Sequence, residues 1–115
     1  MQTLFFENAW EKTISTQDRI NIQRVFDETN FESGVTIEYL WEAKNHLNAV
    51  LATTLIHNHT ENPITLENIN IQYKSMRETF TVPTTIPAYH SMPWTFIFDY
   101  DGIDGRMDYV ITAKV

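Results

Sequence analysis

Hydrophobic positions change their period once along this chain, and the change falls at Gly34. Before it, Ile22, Val25, Phe26 and Thr29 recur at helical spacing, with Asn21, Arg24, Asp27 and Glu28 between them. Ser15 with Asp18 three residues later has the form of a helix N-cap and acidic first turn, and Asn30 and Ser33-Gly34 supply a stop. The pattern predicts one helix over Thr16 to Thr29, with Ile20 off its apolar stripe. Upstream, Leu4 to Phe6 is a short apolar run suited to an edge strand or a plug against the core.

After Gly34 the period becomes two. Val35, Ile37, Tyr39 and Trp41 alternate with Thr36, Glu38 and Glu42, placing the four apolar residues on one face and the two glutamates together on the other. Asn45-His46 signals a turn. Leu47 to His57 is an apolar, Thr-rich run that predicts a central strand, and Asn58 to Pro63 carries the residues of a second turn. Ile69, Ile71 and Tyr73 share a face of the next strand; Lys74 to Glu78 reads as a link to Phe80-Thr81-Val82. Pro83, Pro87 and Pro93 predict a looser stretch of edges and loops, because proline donates nothing to a ladder. Trp94, Phe96 and Phe98 line one face of a strong strand, expected to lie in the core. A loop spans Asp99 to Gly105, and Met107 to Val115 closes the chain as a strand. One helix and six or seven strands imply a mostly β fold: an Ig-like antiparallel β-sandwich over 34–115 with an N-terminal α-helix appendage over 1–33, in one domain of 115 residues.

Composition narrows the function. Seven Phe, five Tyr and three Trp support strands and a core. The net charge of −7 argues against nucleic acid and against a polybasic membrane site, both of which need clustered Lys and Arg. No run approaches spanning length, so no membrane insertion is expected. The absence of Cys excludes disulfides, thiolate metal sites and a cysteine nucleophile. Met1 to Glu7 has neither a basic region nor a long apolar run, and the expectation is a cytoplasmic protein without a signal peptide.

Candidate chemistry is sparse. His57 and His59, two apart on a strand, point to one side, as a metal-binding pair would. Further ligands have only His46, His90 or Glu61 to come from, none at diagnostic spacing, so polar residues entering a turn is the favoured reading. Asp99, Asp101 and Asp104 with Gly102 and Gly105 resemble a calcium loop. Ile103 and Val110, however, stand where an EF-hand needs ligands, and the run reads first as a turn. No metal or other cofactor is expected. Ser15, Ser33, Ser75 and Ser91 lie outside any nucleophile-elbow pattern, and three Gly cannot build a phosphate cradle; no enzyme is expected. Asn58-His59-Thr60 matches a glycosylation acceptor. Trp10, Trp41 and Trp94 are the candidate binding residues. Trp10 and Trp41 are the better surface anchors, because neither lies in an unbroken apolar run.

Three segments carry a family resemblance: Trp10-Glu11-Lys12 with Ile14-Ser15 and Gln17-Asp18-Arg19; Leu55-Ile56-His57-Asn58-His59-Thr60-Glu61-Asn62-Pro63-Ile64; and Ile86-Pro87 with Ser91-Met92-Pro93-Trp94-Thr95-Phe96-Ile97-Phe98. In this order the chain resembles the SLAP domain of the accessory-Sec S-layer assembly proteins of Gram-positive bacteria, from about Phe6 to Val115. It differs in Met92, where the family commonly has Arg, and in a short connection around Lys74 to Glu78. The resemblance implies a non-enzymatic accessory role in protein export or surface-layer assembly and carries no catalytic residues. The function expected is therefore protein interaction, with a protein partner and a homo-oligomer through a sheet edge both open. The rival is a small metal-binding β-domain using His57 and His59 or the Asp99–Asp104 loop.

Overall fold

The computed structural model describes residues 1–99 and 107–111. In chain order the elements are β1 (Thr3–Leu4), α1 (Asn8–Thr13), α2 (Thr16–Glu28), β2 (Gly34–Lys44), β3 (Val50–His59), β4 (Ile64–Tyr73), β5 (Met76–Ile86), β6 (His90–Phe98) and β7 (Tyr109–Val110). They form two sheets, one ordered β1-β6-β3-β2 and the other β5-β4-β7. The protein is mostly β, as its period-two segments predict. The strand order is not that of an immunoglobulin constant domain, whose first, second, fifth and fourth strands share a sheet. Two short outer pairs, β1 with β6 and β4 with β7, are parallel, which departs from the all-antiparallel expectation.

One core fills the space between the sheets. Ile37, Ala52, Ile56, Met92, Phe96 and Phe98 come from the first sheet, and Leu66, Ile69, Ile71, Tyr73, Val82 and Ile86 from the second. Aromatic rings run across it: Phe80 meets Phe96 and Phe98 with centroids 5.0 Å apart, and Tyr73 stacks on Tyr39 at 5.9 Å. Offset and edge-on pairs add about 0.5–1.5 kcal/mol each to simple burial. Phe5 and Trp94 pack against the rim of this core, so Leu4 to Phe6 is both an edge strand and a plug.

Helix α2 matches its expected span to within a residue. Ser15 Oγ accepts the Asp18 amide at 3.1 Å, and Thr29 closes the helix. Ile22 is fully buried and Ile20 is exposed, as the stripe requires. Helix α1 is a finding that periodicity over so short a segment does not reveal. The Glu7 side chain caps it, accepting from the Ala9 and Trp10 amides at 2.7 and 3.3 Å, and Ile14 in extended conformation separates it from α2.

Three strand expectations need correction. A bulge at Leu40 inserts one residue into β2 between the pairs Tyr39↔Thr54 and Trp41↔Thr53. An extra residue turns every later side chain to the opposite face. Trp41 therefore leaves the core side on which Ile37 and Tyr39 sit, and Glu42 crosses to the side opposite Glu38. The proline-punctuated stretch is strand on both sides of Pro87: Pro87 lies in the loop between β5 and β6, as expected, while Pro83 and Pro93 lie within strands. Pro83 is exposed in β5, an edge strand, where a missing N–H is tolerated. Pro93 sits inside β6; the carbonyls of Tyr89 and Ser91 accept from β1 and the residue after it, so by alternation the missing donor of Pro93 faces the same side, beyond the end of β1. Finally, Lys74 to Glu78 holds a two-residue turn: Tyr73 pairs with Met76, and Lys74 takes φ 56°. Of the closing strand, Tyr109 and Ile111 face the core and Val110 faces out, as alternation predicts; Thr112 to Val115 lie outside the described residues.

Candidate functional site

The first sheet has a second face, turned away from the core, and the helical segment covers it. Register places Glu38, Leu55 and Pro93 side by side there, with Thr36, His57 and Ser91 in the next row and Trp41, Thr53 and Thr95 in the row beyond Leu55. Leu55 is fully buried although it lies outside the inter-sheet core. Thr29 at the end of α2 reaches Glu38, with 2.8 Å between Thr29 Oγ1 and Glu38 Oε1, and the Phe31 ring meets the His57 ring edge-on at 5.2 Å. The helices thus pack on their own sheet.

Where α1 and the start of α2 rise from this face, a cleft of about 520 Å³ opens. Ala9, Trp10, Thr13, Ile14, Ser15 and Asp18 form one wall; Trp41, Thr53 and Thr95 form the other. This is the structure's main rearrangement of the sequence reading. Trp10 and Trp41, thirty-one positions apart, line the same cleft, and the Leu40 bulge is what brings Trp41 to it. Both indoles are half-buried. Thr53 and Thr95 hydroxyls bond each other at 2.9 Å, and Thr13 is spent on the Ala9 carbonyl at 2.9 Å. Trp94 is elsewhere: paired with Thr54 on the core face, it packs against the inter-sheet cluster.

Toward the other end of the same face runs a buried polar chain. His57, 3% exposed, bonds Glu38 Oε1 through Nε2 at 2.8 Å and Ser91 Oγ through Nδ1 at 2.6 Å. Gln2 Nε2 donates to Ser91 Oγ at 3.1 Å and to the Asn58 carbonyl at 3.2 Å. A carbonyl can only accept, so this fixes the Gln2 amide, and Gln2 Oε1 then accepts from His59 Nδ1 at 2.7 Å. Phe31 stacks on His59 at 5.7 Å, and Tyr89 meets it edge-on at 5.3 Å. His57 and His59 do share a side, but both nitrogens of His57 are engaged by Glu38 and Ser91. Among the described residues no three His, Asp or Glu side chains converge on a metal position, so the metal-binding rival finds no support. Asp99 contributes its backbone N–H to Glu78 Oε1 at 3.3 Å; Asp101 and Asp104 lie outside the described residues.

The Ser91–His57–Glu38 linkage went unseen in the sequence because its members sit on three strands. Pairing Thr36↔His57↔Ser91 across β2, β3 and β6 creates it. Asn58 likewise has a structural role that local pattern does not carry. It is fully buried, and its amide bonds the carbonyls of Asn62, Ile86 and Pro87 at 2.9, 3.1 and 3.0 Å. In the folded chain it staples the β3–β4 turn to the end of β5 and is not presented for glycosylation. At the opposite end, Glu42 accepts from Tyr73 Oη and, at 2.9 Å, from Lys74 Nζ. Those bonds hold its carboxyl below the ordinary value of 4.5, chiefly the one from Tyr73, while burial and then Glu42 push the Tyr73 hydroxyl above 10.0.

These features define a class: a two-sheet β domain with a helical cover on one sheet and an aromatic cleft at the seam. The chain belongs to the SLAP domain family, whose model matches residues 4–108. Comparison with curated proteins and with solved structures gave no match in either case. No helix among the described residues is long and apolar enough to cross a membrane.

Proposed function

We propose that the chain is a non-enzymatic protein-interaction module, an accessory factor in protein export or surface-layer assembly, and that it docks its partner in the Trp10–Trp41 cleft. The carrying observation is that two half-buried indoles from separate elements line one cleft of about 520 Å³. Tryptophan in a partly desolvated pocket is the residue type most enriched at binding hot spots, and the cleft lies in the usual size range of recognition sites, about 300–1,000 Å³. Family membership supports the accessory role.

The Ser91, His57 and Glu38 linkage is the feature that most resembles catalytic apparatus. A nucleophile needs open approach to its substrate. Ser91 is fully buried, and its oxygen already holds both His57 and Gln2. We read the linkage as a structural pin. The test is a photoreactive side chain placed at position 41 in the native cell, with position 85 on the far sheet as control. A specific cross-link to an export or envelope component from 41 and none from 85 is the expected outcome. Equal labelling from both, or none from 41, refutes the reading.

A further inference from the structure

We infer that the Trp10–Trp41 cleft recognises a basic side chain, arginine or lysine, displayed on an extended peptide. The inference rests on the docking reading above and supplies the partner's chemistry. Its ground is what the cleft offers and leaves unused. Asp18 is the one charged residue among the described residues that line it. Among the described residues no cation lies within ion-pairing distance of that carboxylate. The nearest candidate in sequence, Arg19, is committed elsewhere: it pairs with Glu11 at 3.0 Å and lies 4.6 Å from the centre of the Phe6 ring. Neither Trp10 nor Trp41 makes a ring or cation–π contact, and neither indole N–H has a hydrogen-bond partner, among the described residues.

Among the described residues, then, the lining of the cleft carries two indoles with no aromatic or cationic partner, two indole N–H groups with no acceptor and one carboxylate with no ion-pair partner. A guanidinium or ammonium satisfies the carboxylate and the ring faces together, while the indole N–H groups suit the carbonyls of the peptide that carries it. The chain as a whole points the same way, with 15 acidic residues against 8 basic ones and a net charge of −7, which draws cationic segments toward it.

The test is a titration of the ¹⁵N-labelled chain followed through its three indole N–H resonances, assigned with Trp10→Phe, Trp41→Phe and Trp94→Phe. The probes are a glycine–serine pentapeptide with a central arginine, its lysine, glutamine and glutamate counterparts, and cellotetraose as a neutral glycan. The arginine and lysine peptides are expected to move the Trp10 and Trp41 signals and leave Trp94 in place. Asp18→Asn should weaken that binding about fivefold, the equivalent of one exposed cation–carboxylate contact near 1 kcal/mol. Raised salt should weaken it too. Equal response to the glutamine and glutamate peptides, no effect of Asp18→Asn, or a response to cellotetraose alone overturns the inference. No response to any probe overturns it as well. If position 41 still cross-links a partner in the cell, only the basic-peptide chemistry has failed and the docking reading stands.

Discussion

Replacing His57 by alanine is the sharpest perturbation of the buried polar chain. The imidazole is 3% exposed and bonds Glu38 at 2.8 Å and Ser91 at 2.6 Å. Its removal strips a fully buried hydroxyl of one partner, at about 1–3 kcal/mol. It also removes a hydrogen bond to a largely buried carboxylate, for which about 1.5–3 kcal/mol is usual. The two overlap, and Gln2 and Thr29 remain as partners of Ser91 and Glu38, so the expected loss is about 3 kcal/mol in all. Domains of this size hold about 5–15 kcal/mol. The urea midpoint should fall by about 2 M with the slope unchanged. A double variant, His57→Leu with Glu38→Leu, removes charge and partner together. It should recover at least half of the loss, since apolar replacement of a whole buried pair is far cheaper than halving it. The reasoning fails if His57→Ala unfolds within about 1 kcal/mol of the parent, or if the two leucine substitutions are simply additive.

Phe96→Ala, deleting a ring that is 1% exposed and in contact with Phe80, should cost about 3–5 kcal/mol; Trp94→Ala, at the half-buried rim, should cost less, about 2–4. Calorimetry on both variants checks the order, and a Trp94→Ala protein that keeps its melting point would place that indole outside the core. Gly34 has φ +103°, where a β-carbon is strained even though the space around it is open, so Gly34→Ala should lose about 1–3 kcal/mol in urea unfolding. Glu42, held below 4.5, contributes stability that is present above pH 4.5 and is lost as pH falls through its lowered folded value. Tyr73, held above 10.0, contributes stability that is present below pH 10 and is lost as pH rises toward its raised folded value. Melting temperature against pH should therefore fall at both ends, and Tyr73→Phe should flatten the acid limb as well as the alkaline one.

The sequence made α2 legible because its cap, stripe and stop agree, and it made the Trp94–Phe98 strand legible because three aromatic rings alternate without interruption. Trp41 could be picked out as a candidate binding residue but not placed beside Trp10, because a one-residue bulge at Leu40 decides its face and leaves no mark in composition. The proline rule holds for Pro83, on an edge strand, and for Pro87, in a loop, but not for Pro93 inside β6, for a related reason. Whether a missing N–H matters depends on which edge it faces, and edges are set by strand order. The His57 linkage depends on the register of three strands at once, which local pattern does not carry.

Gln2 reaches Ser91 across 89 positions of chain, and Thr3 and Leu4 pair with His90 and Ser91. The hairpins β2–β3 and β4–β5 close locally, but β1 has no surface to join until β6 is in place. Contacts that span nearly the whole chain form late and slow folding. Among the described strands the one synthesised first thus waits for β6, and until it docks that edge of β6 stays open to pairing with any other extended segment nearby.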